Sequence, residues 1–143
     1  MTVKAILELK GHDVVTLGPN EKLSEAIKVL AEKRIGAIVI TNGDRKIVGI
    51  LSERDIVRAI AQAGSMALEH SVRDAMTAKV KICNAHHTVN EVMEIMTTGR
   101  FRHLPVEQNG MLDGIISIGD VVKRRIEDVE REASDIRAYI ATA

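Results

Sequence analysis

Ser52, Arg54 and Asp55 stand within one short stretch, and Ser117 and Asp120 repeat the Ser/Asp spacing 65 positions later. A hydroxyl and a carboxylate so spaced, where a strand runs into a helix, can do two kinds of chemistry. One is structural: a capping box, in which each side chain satisfies a backbone amide at the helix start. The other is ligand binding. Free N–H groups and the positive dipole end of a helix suit a phosphate, and Arg54 adds a forked cation for its oxygens. An aspartate one turn in can accept two hydrogen bonds from a ribose diol. Either copy alone reads as a cap. Two copies at one fixed point of a repeat point to two related sites.

The elements that must position these residues are themselves repeated. Gly49-Ile50-Leu51-Ser52-Glu53-Arg54-Asp55-Ile56-Val57 returns as Gly114-Ile115-Ile116-Ser117-Ile118-Gly119-Asp120-Val121-Val122. Upstream, apolar residues at 23, 26, 27 and 30, matched by 89, 92, 93 and 96, follow helical spacing. Residues 35–40 and 101–106 read as strands, each leading to a turn, Asn42-Gly43-Asp44 or Gln108-Asn109-Gly110. Second strands at 47–51 and 111–116 then enter the motif, and a helix follows it. Opening strands are expected at Val14-Val15-Thr16 and Val80-Lys81-Ile82, and Ser71 to Asp74 is expected to open a short linking helix with its own capping box. The fold class is therefore α+β: two repeats of strand, helix, strand, strand, helix, packed sheet to sheet because neither half alone buries enough surface. Residues 1–66 form the first unit, 67–126 the second, and 127–143 a helical extension. In that tail Val122, Ile126, Val129, Ala133, Ile136 and Ile140 step by four and three, a heptad-like seam. It folds back onto its own domain or makes a subunit contact.

Composition narrows the function. The chain of 143 residues has 20 Lys+Arg against 20 Asp+Glu, so no global basic field recruits nucleic acid or an anionic membrane. Its aromatics are Phe101 and Tyr139, with no Trp, so reading bases by stacking on aromatic platforms is largely unavailable. A single cysteine, Cys83, forbids an intrachain disulfide and predicts a reducing compartment. Charges arrive too early at the N-terminus for a secretory leader, and no apolar run is long enough for a membrane span. A soluble, cytoplasmic protein is expected.

The double pattern, together with Arg102-His103-Leu104-Pro105-Val106, resembles a pair of CBS domains over about residues 1–126. The Ser-Glu-Arg-Asp form is similar to that of small stand-alone bacterial members. The resemblance implies a pseudo-twofold pair with two clefts between the repeats, each holding an adenosine ligand: ribose on the Asp, phosphate on the Ser and its neighbours, base against the other repeat's strands. One site would combine Ile50, Ser52, Arg54 and Asp55 with Val80, Lys81, Phe101, Arg102 and His103. The other would combine Ile115, Ser117 and Asp120 with Val14, Val15, Ile35, Gly36 and Ala37. AMP, or ADP or ATP, is the expected ligand of the cationic first site. NAD or NADH is the alternative, because Gly119 and Gly36 leave room in the second. The resemblance also implies a homodimer and a protein effector that reads ligand occupancy; no resident metal is expected.

Other residues have plainer readings. His86-His87 near Cys83 lacks a carboxylate or second thiolate at metal-ligand spacing and reads as a solvated loop, while Cys83 aligns with apolar Leu17 and reads as buried. His103 aligns with Ala37 and is either a core histidine or a phosphate contact. Met93 and Met96 read as core filler, and Lys123-Arg124-Arg125, followed by acidic residues, as a salt-bridged helix face. A nucleotide hydrolase is the enzymatic alternative, but no nucleophile with a base and no carboxylate cluster accompanies the motif. A nucleic-acid-binding regulator is a third, disfavoured by the neutral charge balance.

Overall fold

The computed structural model describes residues 1–142. It opens with a helix that the repeat pattern does not announce, α1 (Val3–Lys10). Thr2 caps it by accepting from the Ala5 amide at 3.4 Å, and Gly11 ends it at φ +95°, a backbone that glycine adopts without steric cost. Then follow β1 (Thr16–Leu17), α2 (Leu23–Lys33), β2 (Ala37–Thr41), β3 (Ile47–Ser52), α3 (Glu53–Ala63), a 3-10 turn (Gly64–Glu69) and α4 (Val72–Ala75). The second half supplies α5 (Val89–Gly99), β4 (His103–Gln108), β5 (Met111–Ser117) and α6 (Ile118–Thr142). The α+β repeats with a C-terminal helix are as the sequence predicts.

The opening strands differ from expectation. In the first unit β1 lies at Thr16–Leu17 and runs parallel to β2, itself antiparallel to β3. In the second unit residues 80–82 form no strand. Only Cys83 bridges to Val106, beside the antiparallel pair β4–β5. The cause is Pro105. Its first-repeat counterpart Val39 donates its amide to the Val15 carbonyl at 3.3 Å. A proline has no N–H to offer there, so the parallel ladder cannot extend back from Cys83. The capping box expected at Ser71 is also missing. Ser71 Oγ donates to the Asp74 carboxylate at 3.2 Å, and the Asp74 amide bonds the Ser71 carbonyl instead, within a helix only four residues long.

The repeat extends to α1 and α4. The Val3 and Lys4 amides bond the His87 and Ala85 carbonyls, as the Val72 and Arg73 amides bond those of Glu21 and Pro19. Leu7 of α1 and Met76, the residue that ends α4, each lie against a bare glycine in the strand before the motif. A Cβ on Gly114 would stand 2.8 Å from Leu7 Cδ2, and one on Gly49 would collide with Met76. Packing therefore crosses chain order. Val3, Ile6 and Leu7 join the second unit's core with Val92, Met96, Leu104 and Ile116, while Ala67 and Val72 join the first unit's with Leu23, Ile38 and Leu51. Cys83 lies in the former, and burial pushes its thiol up to about 12, which leaves almost no nucleophilic thiolate at neutral pH.

α6 spans 25 residues but buries only Val121 completely. Val122, Ile126, Val129, Ile136 and Ile140 are all exposed, so the seam is not folded onto its own domain.

Candidate functional site

The first Ser/Asp pair is a complete capping box. Ser52 Oγ accepts from the Asp55 amide at 3.3 Å, and the Ser52 amide donates to Asp55 Oδ2 at 2.9 Å. The aspartate does more than cap. Asp55 is only 6% exposed, and a buried carboxyl group must be paired to be tolerated. Its second oxygen, Oδ1, accepts from Thr77 Oγ1 at 3.3 Å and lies 3.6 Å from Arg58. The strand end, the first turn of α3 and the extended segment after α4 thus converge on one carboxylate.

A cavity of about 570 Å³ opens beside it, within the range of small-molecule sites. All nine residues expected at the first site, Ile50, Ser52, Arg54, Asp55, Val80, Lys81, Phe101, Arg102 and His103, line it. Sequence reasoning missed Glu53, Arg58, Thr77, Lys79 and Gly99, which also line it. Two of these had legible signals: Arg58 follows Arg54 by one helical turn, and Lys79 alternates with Lys81. The lining holds five Lys and Arg (54, 58, 79, 81, 102) against two acids (53, 55), a local excess of positive charge in a neutral protein. Arg54 also spans the two units, its Nη1 donating to the Arg100 carbonyl at 3.1 Å, where a cation meets the negative end of the α5 dipole. Phe101 folds against bare Gly99, where a Cβ would collide with its ring.

Gly36 and Ala37, expected at the second site, line this first cavity instead. His103 explains why. Its ring lies over Gly36, 3.2 Å from where a Cβ would stand, so the room expected there is filled. Burial first, then the Lys10 ammonium, hold the His103 imidazole below its ordinary value, with Glu53 and Asp120 opposing. The shift favours the neutral imidazole, a form that can offer a hydrogen bond rather than charge to a ligand.

The second pair forms the same reciprocal bonds. The Ser117 amide donates to Asp120 Oδ2 at 2.9 Å, and Ser117 Oγ accepts from the Asp120 amide at 3.2 Å. Its surroundings are different. Lys10 Nζ, from the end of α1, sits 2.7 Å from Asp120 Oδ2 and donates to the Ile115 carbonyl at 3.0 Å. Burial alone would raise the Asp120 carboxyl, but the Lys10 and Ser117 hydrogen bonds outweigh it and hold the group below the usual aspartate value. His12 anchors the following loop, its Nδ1 2.9 Å from the Asp113 carbonyl oxygen. Of the other residues expected at this site, Val15 and Ile35 pack against the first unit's core and Val14 is half-buried. As for His86-His87, the His87 Nδ1 accepts from the Asn84 amide at 3.0 Å, a turn contact. No helix among the described residues is long and apolar enough to cross a membrane.

The family model for the CBS domain matches residues 4–62 and 72–127. Among solved structures, a CBS-domain-containing protein of Agrobacterium tumefaciens is 52% identical, with a TM-score of 0.84 over 87% of this chain and 99% of the other. A CBS domain protein of Pyrobaculum aerophilum, complexed with AMP, is 28% identical, with a TM-score of 0.74 over 84% of this chain and 89% of the other. A mitochondrial CBS domain-containing protein of Arabidopsis thaliana is 31% identical over 97% of this chain and 71% of its own length.

Proposed function

The chain belongs to the CBS-domain family, in two copies, and on that premise we propose that it is a non-catalytic sensor that binds AMP in the cleft beside Asp55 and passes occupancy to a protein partner. The observation that carries this reading is the cavity lined by five basic side chains around the Ser52/Asp55 pair. Stand-alone CBS pairs are regulatory modules, and the Pyrobaculum relative is a complex with AMP. In this reading Asp55 takes the ribose hydroxyls. Ser52, Arg54 and the other cations face the phosphate, and the base lies among Ile50, Val80 and Phe101. Both units supply lining residues, so a ligand that fits one relative tilt of the units better than another shifts their equilibrium.

Calorimetric titration tests the assignment. AMP is expected to bind about 10-fold or more tightly than adenosine, because charge-assisted hydrogen bonds to the phosphate are worth about 1.5–3 kcal/mol each. Equal affinity for the two would remove the phosphate role of the cations, and silence with both would remove the nucleotide reading altogether.

The reading includes a homodimer. Val57 and Ile60 of α3 lie exposed, as do Val122, Ile126 and Val129 of α6, and exposed apolar faces of this kind are covered by association. Light scattering at micromolar concentration is expected to give twice the 15.7 kDa chain mass. A single-chain mass would count against pairing.

A further inference from the structure

Three features outside the open cleft invite interpretation: the exposed seam of α6, the charged surface where Met1 and Asn90 meet α6, and the second Ser/Asp pair with its lysine. The third is the most fully determined, because the first pair provides an internal standard for it.

In the first unit, the chain leaving α4 turns extended at Met76. Thr77 then meets the end of β3 with three groups. Its amide donates to the Ile50 carbonyl at 2.9 Å and its carbonyl accepts from the Ile50 amide at 3.0 Å. Its hydroxyl donates to Asp55 Oδ1. In the second unit the helix does not stop. α1 continues past Leu7, the counterpart of Met76, to Lys10. Three helical residues rise about 4.5 Å, close to the roughly 3.3 Å of one extended residue. From there the Lys10 side chain reaches the counterparts of the groups that Thr77 meets in the other unit. Its ammonium serves the same two acceptors, the Ile115 carbonyl and the Asp120 carboxylate. Where the first unit presents a threonine beside an open cavity, the second presents a four-carbon stem and a positive charge against its aspartate.

We propose that Lys10 is an internal occupant of the second cleft, so that each chain takes one adenosine ligand, and that removing its side chain creates a second ligand site on Ser117 and Asp120. The inference rests on the nucleotide reading of the first cleft. Its logic is competition. A ribose diol approaching Asp120 meets an ammonium bonded directly to Oδ2 at 2.7 Å, an oxygen the Ser117 amide shares, whereas Asp55 faces a threonine hydroxyl at 3.3 Å and an arginine at 3.6 Å. The stem also ends on the Ile115 carbonyl of β5, the backbone acceptor beside the motif. Lys10 is thus a residue that sets stoichiometry and distinguishes two otherwise similar motifs. Gly119, standing where the first copy has Arg54, makes the uncovered site the weaker of the two for phosphate.

The test is titration of the full chain and of Lys10→Ala with AMP, read by calorimetry and by backbone amide shifts in nuclear magnetic resonance. Lys10 is partly exposed and outside the apolar core, so the fold should survive, and an unchanged amide spectrum away from Asp120 checks this. The wild type is expected to bind one AMP per chain and to move the Ser52 and Asp55 amides. Lys10→Ala should bind two, with the Ser117 and Asp120 amides now moving at higher AMP concentration. Adding Asp120→Asn should return the count to one. Two equivalents in the wild type would overturn the proposal. So would one equivalent in Lys10→Ala with still amides at Ser117 and Asp120, and that result would leave the nucleotide reading of the first cleft standing. Binding by neither protein would overturn both.

Discussion

Asp55→Asn is expected to weaken AMP binding about 10- to 100-fold, the equivalent of roughly 1.5–3 kcal/mol for hydrogen bonds to a charged acceptor. The loss of folding stability should be smaller, under about 1 kcal/mol, because a cap of nearly the same shape remains. Asparagine separates the two roles of this side chain. Its one oxygen can still accept from the Ser52 amide, the bond that Asp55 Oδ2 makes at 2.9 Å. The NH2 group would then replace Oδ1, the atom that faces Thr77 and Arg58, and a donor there cannot accept from a ribose hydroxyl. Alanine is the blunter change. It strands the Ser52 amide and the Thr77 hydroxyl in a largely buried place, and its effect on binding would be mixed with a lost cap. Titration of AMP into Asp55→Asn, alongside a thermal melt, reads both quantities. An affinity within twofold of the wild type would reduce the Ser52/Asp55 pair to a helix cap.

Leu7→Ala is expected to destabilise the chain by about 2–5 kcal/mol, the usual loss when a fully buried leucine leaves a cavity. An N-terminal helix of eight residues is often dispensable, but this one is not. Leu7 is 1% exposed and lies with Val3 and Ile6 in the second unit's core. Its neighbour Leu9, 68% exposed, is the internal control, and Leu9→Ala should stay within about 0.5 kcal/mol. Because Leu7 rests directly on Gly114, the pair should also couple. Gly114→Ala alone overpacks the contact and destabilises, whereas added to Leu7→Ala it refills part of the hollow and recovers stability. Urea denaturation midpoints of the four variants give the coupling. A Leu7→Ala cost no larger than that of Leu9→Ala would mean that α1 is not part of the second core.

The motif side of the first cleft was legible in the sequence because its chemistry is local, and the residues opposite it came from the family resemblance. Ser52, Arg54 and Asp55 are held by one strand-to-helix junction, and the matching motif at Ser117 and Asp120 identified the junction as a repeated device. Arg102 and His103 were implied only by the family resemblance, since the repeat aligns them with Gly36 and Ala37. Thr77 was missed because Ser71 to Asp74 draws attention as a linking helix, and nothing in the spacing shows that the chain beyond it turns extended against β3. The strand at residues 80–82 was over-read. Val80 and Ile82 have the right side chains, but a strand also needs donors from its neighbour, and Pro105 supplies none.

By itself the sequence determined that there are two α+β units, where each places its Ser/Asp pair, that the chain is a CBS pair, and that the first pair carries cations the second lacks. These are properties of type and order along the chain, repeated once and so readable twice. Only the tertiary structure decided which distant side chains meet each pair. It sets Lys10 on Asp120 from 110 residues away and lays His103 over Gly36 from the other repeat. A periodic pattern shows which residues share a face, but not which distant side chain reaches that face first. That choice depends on how far α1 runs before it ends: three more helical residues carry an ammonium to Asp120, where the first unit offers a threonine to Asp55.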